Sequence, residues 1–413
     1  MLSPGAPQLQ EVPETGKINT MKFVLAPDSF KESMSAAEAA AALERGIRAV
    51  FPTAECVRVP MADGGEGTVE AMVAALGGEL VVAEVQDACG RPVRAAYGYV
   101  AAEQLAIIEV AAAAGIHLVA AADRDVRTAS TFGVGQLITD ALDRGALRFV
   151  IGLGGSVTND GGAGMLHALG ARLFDSAGRD LADGGAALAT LHRIDLEGFD
   201  PRARSASFEI ASDVANPLLG PGGATAVFGP QKGADPQAVQ DLEAALTVFA
   251  RVLAADSGRS VADLPGAGAA GGLGAAFLAC FDSRMRRGVE VVMEAALLEQ
   301  RLSGADFVFT GEGSIDGQTL QGKTPLGVAE AAARHGVPVV AFAGRVGPGA
   351  EALYDQGFAA LVPIVQEVSD LPRALTDGPA NLERAAATVC RLLAAGQSAG
   401  AARGAQTGWA TGA

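Results

Sequence analysis

Buried-type apolar runs alternate with amphipathic stretches along much of the chain. KFVLAPDSF, from residue 22, reads as a short strand that ends in a Pro-Asp-Ser turn, and Ser35-Ala36-Ala37-Glu38 carries the N-cap pattern that opens a helix through Ala49. A second strand is predicted over 55–60, followed by the helix VEAMVAAL from residue 69. GELVVAEVQDA, RPVRAAYGYV and QLAIIEVA then alternate with period two between short turns, the mark of an antiparallel or mixed sheet. A helix near 133–144 leads into the strand RFVIGL, the loop GGSVTNDGG and the helix AGMLHALGA. Further on, DPQAVQDLEAALTVFARVLA is helical and GAGAAGGLGAAFLACF follows it. Near the end, ADFVFT, VPVVAFAG and FAALVPIV read as strands. The helix PLGVAEAAARHG, stopped by Gly336, lies between the first two, and a last helix ends near Leu393. The chain opens and closes in parallel α/β units around a middle of different texture, which predicts a domain inserted into a discontinuous outer one.

Composition narrows the function. The 413 residues carry 31 Lys plus Arg against 47 Asp plus Glu, a net charge of −16, which argues against nucleic acid or an acidic membrane as partner. Cys56, Cys89, Cys280 and Cys390 show no CxxC spacing, so neither a zinc site nor a disulfide framework is indicated, and a cytoplasmic location fits. The longest uncharged apolar stretch, 264–281, is broken by Pro265 and several glycines and does not read as a membrane span. Residues 1–20 lack the apolar core of a secretory signal and read as a disordered leader, with Met21 an alternative start; 396–413 read as a flexible tail.

Four stretches join glycines to carboxylates or hydroxyls at predicted strand ends: 27–31, 63–68, 154–162 and 311–325. Bare amides without a Cβ, followed by a helix N-terminus, suit phosphate. Residues 317–324 spell GxxxxGKT, yet 311–316 separate the motif from its strand and Pro325 follows it. It therefore reads as a phosphate contact in another geometry, with Lys323 as a point charge. Residues 266–271 spell GxGxxG after the polar ADLP, without the strand that a dinucleotide fingerprint requires. The carboxylates Asp63, Asp160, Asp213, Glu312 and Asp316 stand in such turns, where each could equally be a turn-forming residue. Phosphoryl transfer needs Mg²⁺ on one or two carboxylates, a cation facing the phosphates, and a carboxylate for the hydroxyl proton. This set can supply all three.

APDSFKES at 26–33, PMADGGEGT at 60–68, GLGGSVTNDGG at 152–162, DVANPLLGPGGATAVFGPQKGA at 213–234, GAGAAGGLGA at 266–275 and TGEGSIDGQTLQGKTP at 310–325 resemble, in collinear order, the bacterial glycerate kinase family of type I. The resemblance covers about 22–395. It departs at Glu32, where the family commonly has Gly, and at Val157, where it has Ala. It implies an ATP- and Mg²⁺-dependent kinase acting on D-glycerate, usually at the 2-hydroxyl, with the 3-hydroxyl as the alternative. It further implies a two-domain α/β fold: a flavodoxin-like parallel α/β/α domain at 21–82 and 290–395, and a mixed α/β domain inserted at 83–289.

On that resemblance, Lys31 and Lys323 neutralise the substrate carboxylate or the phosphoryl group, and Asp63 or Asp316 orients the hydroxyl. Gly154, Gly155, Ser156, Thr158, Asn159, Gly268 and Gly271 contact ATP; Ser29, Gly64, Gly65 and Glu312 contact glycerate; Asp213 or Asp160 holds Mg²⁺. A homodimer is compatible with the sequence, which does not fix the oligomeric state. Two other classes stand beside this reading: a sugar-acid- or nucleotide-binding protein without catalysis, and an NAD-dependent oxidoreductase built on 266–271.

Overall fold

The structure, a computed structural model, describes residues 20–407. In chain order its strands are β1 Lys22–Leu25, β2 Glu55–Arg58, β3 Glu79–Gln86, β4 Pro92–Val100, β5 Leu105–Glu109, β6 Arg148–Gly152, β7 Arg172–Phe174, β8 Arg193–Asp195, β9 Ser207–Ala211, β10 Asp282–Arg286, β11 Phe307–Ile315, β12 Val339–Val346 and β13 Phe358–Pro363. β1, β2, β11, β12 and β13 form one all-parallel sheet in the order β2-β1-β11-β12-β13. Counted within that sheet the order is 2-1-3-4-5, the flavodoxin-like winding, whose switch point falls between β1 and β11. Phe23, Val24 and Leu25 are all buried because helices cover both faces of β1. Helices Ala36–Arg48 and Gly378–Thr407 lie over Phe23 and Leu25; helices Gly288–Ala295 and Thr324–Arg334 lie over Val24. The first of these helices starts where expected, with Ser35 and Glu38 forming a reciprocal capping box.

The second sheet runs β3-β4-β5-β6-β9-β10, antiparallel across β3/β4 and β4/β5 and parallel beyond, so the mixed α/β expectation holds. One face packs under helices Phe132–Asp143, Ala163–Ala168, Pro236–Ser257 and Ala269–Cys280. Its other face contributes Leu105, Ile107, Val150 and Ala211 to a hydrophobic cluster that also contains Val69 and Met72 of helix Thr68–Leu76, Val289 and Val292 of helix Gly288–Ala295, and Val24 and Val308 of the first sheet. The two sheets therefore share this cluster, while the outer face of each has a cluster of its own. Strand membership places 79–82 with the second sheet, so a boundary at 83 cuts β3, and a boundary at 289 cuts helix Gly288–Ala295.

The structure departs from the sequence reading at several elements. Strands β9 and β10 were not legible: β9 is only five residues long, and β10, DSRMR, is a charged edge strand without an apolar run. The last helix continues through 396–407, part of the stretch read as a loose tail, because alanine favours helix more than any other residue. Residues 1–19 and 408–413, the leader and the end of the tail, lie outside the described residues. The 264–281 stretch is a turn leading into helix Ala269–Cys280, itself broken by left-handed residues at 270–272, and no described helix is long and apolar enough to cross a membrane.

Candidate active site

The carboxyl ends of β1 and β11 diverge to opposite sides of the first sheet, and a crevice of about 360 Å³ opens outside them. Asp28 follows β1; its amide donates to the Gly311 carbonyl (2.8 Å), and Thr310 Oγ1 donates to the Ala26 carbonyl (2.7 Å), so the two strand ends are laced together. Thr324, at the start of helix Thr324–Arg334, donates from Oγ1 to Asp28 Oδ2 at 2.5 Å. Glu312, near the end of β11, accepts from Thr319 Oγ1 at 3.1 Å, with Lys323 Nζ 3.6 Å from its other oxygen. After β2, the chain turns at Asp63, whose Oδ1 accepts the Gly65 N–H at 3.0 Å. Ser29, Lys31, Asp63, Glu66, Glu312 and Lys323 all line the crevice with Asp28.

The second sheet reaches the same turn. A Cβ on Gly64 would stand 2.8 Å from the Ala211 carbonyl oxygen at the end of β9, and one on Gly154 would stand 2.8 Å from Gly65 Cα. Gly64 also has φ +88°, which only glycine adopts without strain. Asp213, two residues beyond β9, accepts the Gly288 N–H at 3.1 Å. Carboxylates from both sheets therefore crowd one place, and their protonation shows it. Burial first, then Asp63 and Glu312, push Asp28 up to about 7 against the bonds from Thr324 and Ser29. Burial and then Asp63 push Asp213 up to about 6. Burial raises Glu312 too, against the pull of Lys323. Glu109, at the end of β5, accepts the Val69 N–H of helix Thr68–Leu76 at 2.9 Å, and burial pushes it up to about 7.

Among the described residues no three His, Cys, Asp or Glu side chains converge closely enough to hold a metal ion alone. Mg²⁺ takes one or two carboxylates and completes its shell with water and phosphate oxygens. Asp63 and Asp213, hard oxygen donors that repel each other, fit such an ion.

The 154–162 loop behaves differently from its sequence. Asp160 is fully buried, and its two oxygens accept from the Thr131 amide (2.8 Å) and Oγ1 (2.8 Å), the Gly162 amide (3.1 Å) and the Gly164 amide (3.2 Å). Its oxygens are engaged by donors inside the fold, which argues against the metal role expected of it. Lys232, itself buried, donates from Nζ to Ser156 Oγ (3.0 Å) and to the Thr158 carbonyl (2.7 Å), while Asn159 Nδ2 donates to Thr225 Oγ1 (3.0 Å). Ser156, Thr158 and Asn159 are buried, with Thr158 Oγ1 and Asn159 Oδ1 lacking a hydrogen-bond partner among the described residues, and of the loop's expected phosphate contacts only Gly154 and Gly155 reach the surface. Gly268 and Gly271 are buried where a Cβ would collide with the Pro217 and Thr158 carbonyls; the GxGxxG spelling records close packing. Asp316 heads the 3₁₀ turn Gly317–Gln321, outside the crevice lining. β11 runs to Ile315, so a strand does precede GxxxxGKT closely; that 3₁₀ turn is what separates it from a phosphate-wrapping loop.

Asp28, Glu66 and Arg345 line the crevice without having been singled out as site residues. For Asp28 the signal was present, an Asp-Ser pair directly after a buried strand; for Arg345, within β12, there was none.

The family model for the glycerate kinase family matches residues 23–394. The chain is 48% identical over 366 residues to a glycerate kinase of Bacillus subtilis (strain 168), covering 89% of this chain and 96% of that protein. It is 44% identical over 376 residues to a glycerate 2-kinase of Escherichia coli (strain K12), covering 91% and 99%. A crystal structure described as a candidate glycerate kinase 2 from Salmonella typhimurium LT2 superposes with a TM-score of 0.83 at 48% identity, covering 92% of this chain and all of that one. With matches of this length on a flavodoxin-like sheet and an inserted mixed sheet, the chain belongs to the glycerate kinase family.

Proposed function

We propose that this protein transfers the γ-phosphoryl group of ATP to the 2-hydroxyl of D-glycerate, giving 2-phosphoglycerate. The observation that carries the reading is the convergence of Asp28, Asp63 and Glu312 with Lys31 and Lys323 on one crevice at the switch point of the parallel sheet. The two lysines supply the positive charge that a carboxylate substrate and a transferring phosphoryl group both require. Asp63 and Asp213 would hold Mg²⁺, which neutralises charge on the phosphates when bound. Asp28, buried and pushed up to about 7, stands poised to take the hydroxyl proton near neutral pH. Its bond from Thr324 fixes the carboxylate's orientation, and Glu312 in turn orients Lys323. The choice of the 2-hydroxyl rests on the named activity of the Escherichia coli relative.

The two hydroxyls differ only in which oxygen lies in line with the γ-phosphate. A phosphorus NMR spectrum of the product from D-glycerate, ATP and Mg²⁺ tests the proposal. The expected spectrum is a doublet, from a phosphate on a secondary carbon. A triplet, from a phosphate on a CH₂ group, would assign the reaction to the 3-hydroxyl, and absence of any phosphoglycerate would remove the kinase reading.

A further inference from the structure

The crevice has two chemically different ends. One carries Asp28, Asp63, Glu312, Lys31 and Lys323; the other, beyond the carboxyl ends of β12 and β13, is walled by Phe30, Ile364, Val365, Leu371 and Leu375. Phe30 and Ile364 are buried beneath this end, but Val365 and Leu371 at its rim are not covered by the protein. Val365 is 36% exposed, Leu371 is 68% exposed, and Val368 between them is fully exposed. Singly exposed apolar residues need no explanation, but Val365 and Leu371 on one rim of a charged crevice, with Val368 exposed between them in sequence, form a patch that a ligand would cover. The walls are held in place. Ser33 Oγ donates to the Leu375 carbonyl at 2.6 Å, and Gly378 packs so closely on Ser33 that a Cβ would collide with its Oγ. The floor between the two ends is bare backbone: a Cβ on Gly344 would stand 2.7 Å from the Gly313 carbonyl oxygen.

A three-carbon acid has no apolar surface to lay on this patch. A cavity of about 360 Å³ is also in the range that holds whole small-molecule ligands, with apolar walls and a few placed polar groups. We infer that the apolar end is the subsite for the purine base of the nucleoside triphosphate donor, with the base on Val365, Leu371 and Leu375 and the phosphates directed along Gly313 and Gly344 toward Lys31 and Lys323. The inference rests on the kinase reading above, and it moves the nucleotide from the 154–162 and 266–271 loops to the first sheet.

The test is the double variant Val365→Ser, Leu371→Ser, with both changes on solvent-facing side chains so that the fold is retained, beside the control Leu392→Ser, a 71%-exposed residue of the last helix. Calorimetric titration with ATP alone should show about tenfold weaker binding for the double variant than for the wild type, and no change for the control. In turnover assays KM for ATP should rise about tenfold while KM for D-glycerate stays within about twofold. Unchanged ATP affinity in the double variant, or a rise confined to KM for D-glycerate, overturns the subsite, as does a wild type that binds no ATP. A wild type that binds ATP but does not phosphorylate glycerate overturns the kinase reading alone, because the titration still decides where the base sits.

Discussion

The turn at 63–66 and the loop at 154–162 are alike in sequence, since both follow strands, combine glycines with an aspartate, and lead into helices. In the structure their aspartates are opposites. Asp160 has four hydrogen-bond donors inside the fold, and Lys232 ties down Ser156 and the Thr158 carbonyl. Asp63 has the Gly65 amide and, facing it, two carboxylates whose protonation it disturbs. A polar group completed by its own protein serves the fold; one left in conflict with its neighbours is set for a ligand.

Asp63→Asn should break the conflicted region most severely, lowering kcat about a thousandfold, or roughly 4 kcal/mol. Its stability in urea should be equal to or above that of the wild type, because Asp28 and Asp213 lose a repulsive neighbour. Asp160→Asn should do the reverse. Replacing one acceptor oxygen by an amide donor that faces a donor inside the fold should cost about 3 kcal/mol of stability, read as a lower urea midpoint, with kcat of the folded protein within about threefold of the wild type. A stable Asp160→Asn protein with collapsed turnover would erase the distinction.

The pH dependence of stability sharpens the comparison, because the two regions have opposite signs. Asp28 and Asp213 are raised to about 7 and about 6, so the folded state holds more protons than the unfolded one between about pH 4 and 7, and their contribution to stability falls as pH climbs through that window. Lys232 is lowered to about 8 by burial, with the nearby Asp160 opposing. The unfolded chain then holds more protons between about pH 8 and 10, and stability rises with pH there. Urea midpoints across pH 4 to 10 should show Asp28→Asn flattening the acidic decline and Lys232→Met removing the alkaline rise. Lys232→Met should also cost about 2 kcal/mol at pH 7, since Ser156 Oγ and the Thr158 carbonyl lose their donor, while KM for ATP stays within about twofold. A tenfold rise in that KM would return the loop to the binding site.

Gly317→Ala should have the smallest effect. Its φ is not in the left-handed region, and a Cβ would meet only ordinary contacts at 3.8 Å, so stability should shift by less than about 0.5 kcal/mol. Calorimetry should find ATP affinity within about twofold of the wild type; its abolition would mean that 317–324 wraps phosphate after all.

The outer sheet was legible because its strands are buried on both faces and read as unbroken apolar runs: KFVL, FVFT and VVAFAG. The polar edge strand β10 offered no such run. For the site, the sequence showed which loops could carry chemistry but not which side chains were already engaged, since the partners lie far along the chain. Thr131 is 29 residues from Asp160, Lys232 is 76 from Ser156, and Thr324 is 296 from Asp28. Spacing within a motif carries no trace of such pairings.

The core shared by the two sheets bears on how the molecule can move and come apart. Helices Thr68–Leu76 and Gly288–Ala295 pack in one cluster with residues of both sheets, so a wide hinge swing between the sheets would have to break the apolar packing of Val69, Met72, Val289 and Val292. By the same token 79–286 is no detachable cassette: excised, it would bare Ile107, Val150 and Ala211 to water, and the intact chain should melt in a single cooperative step.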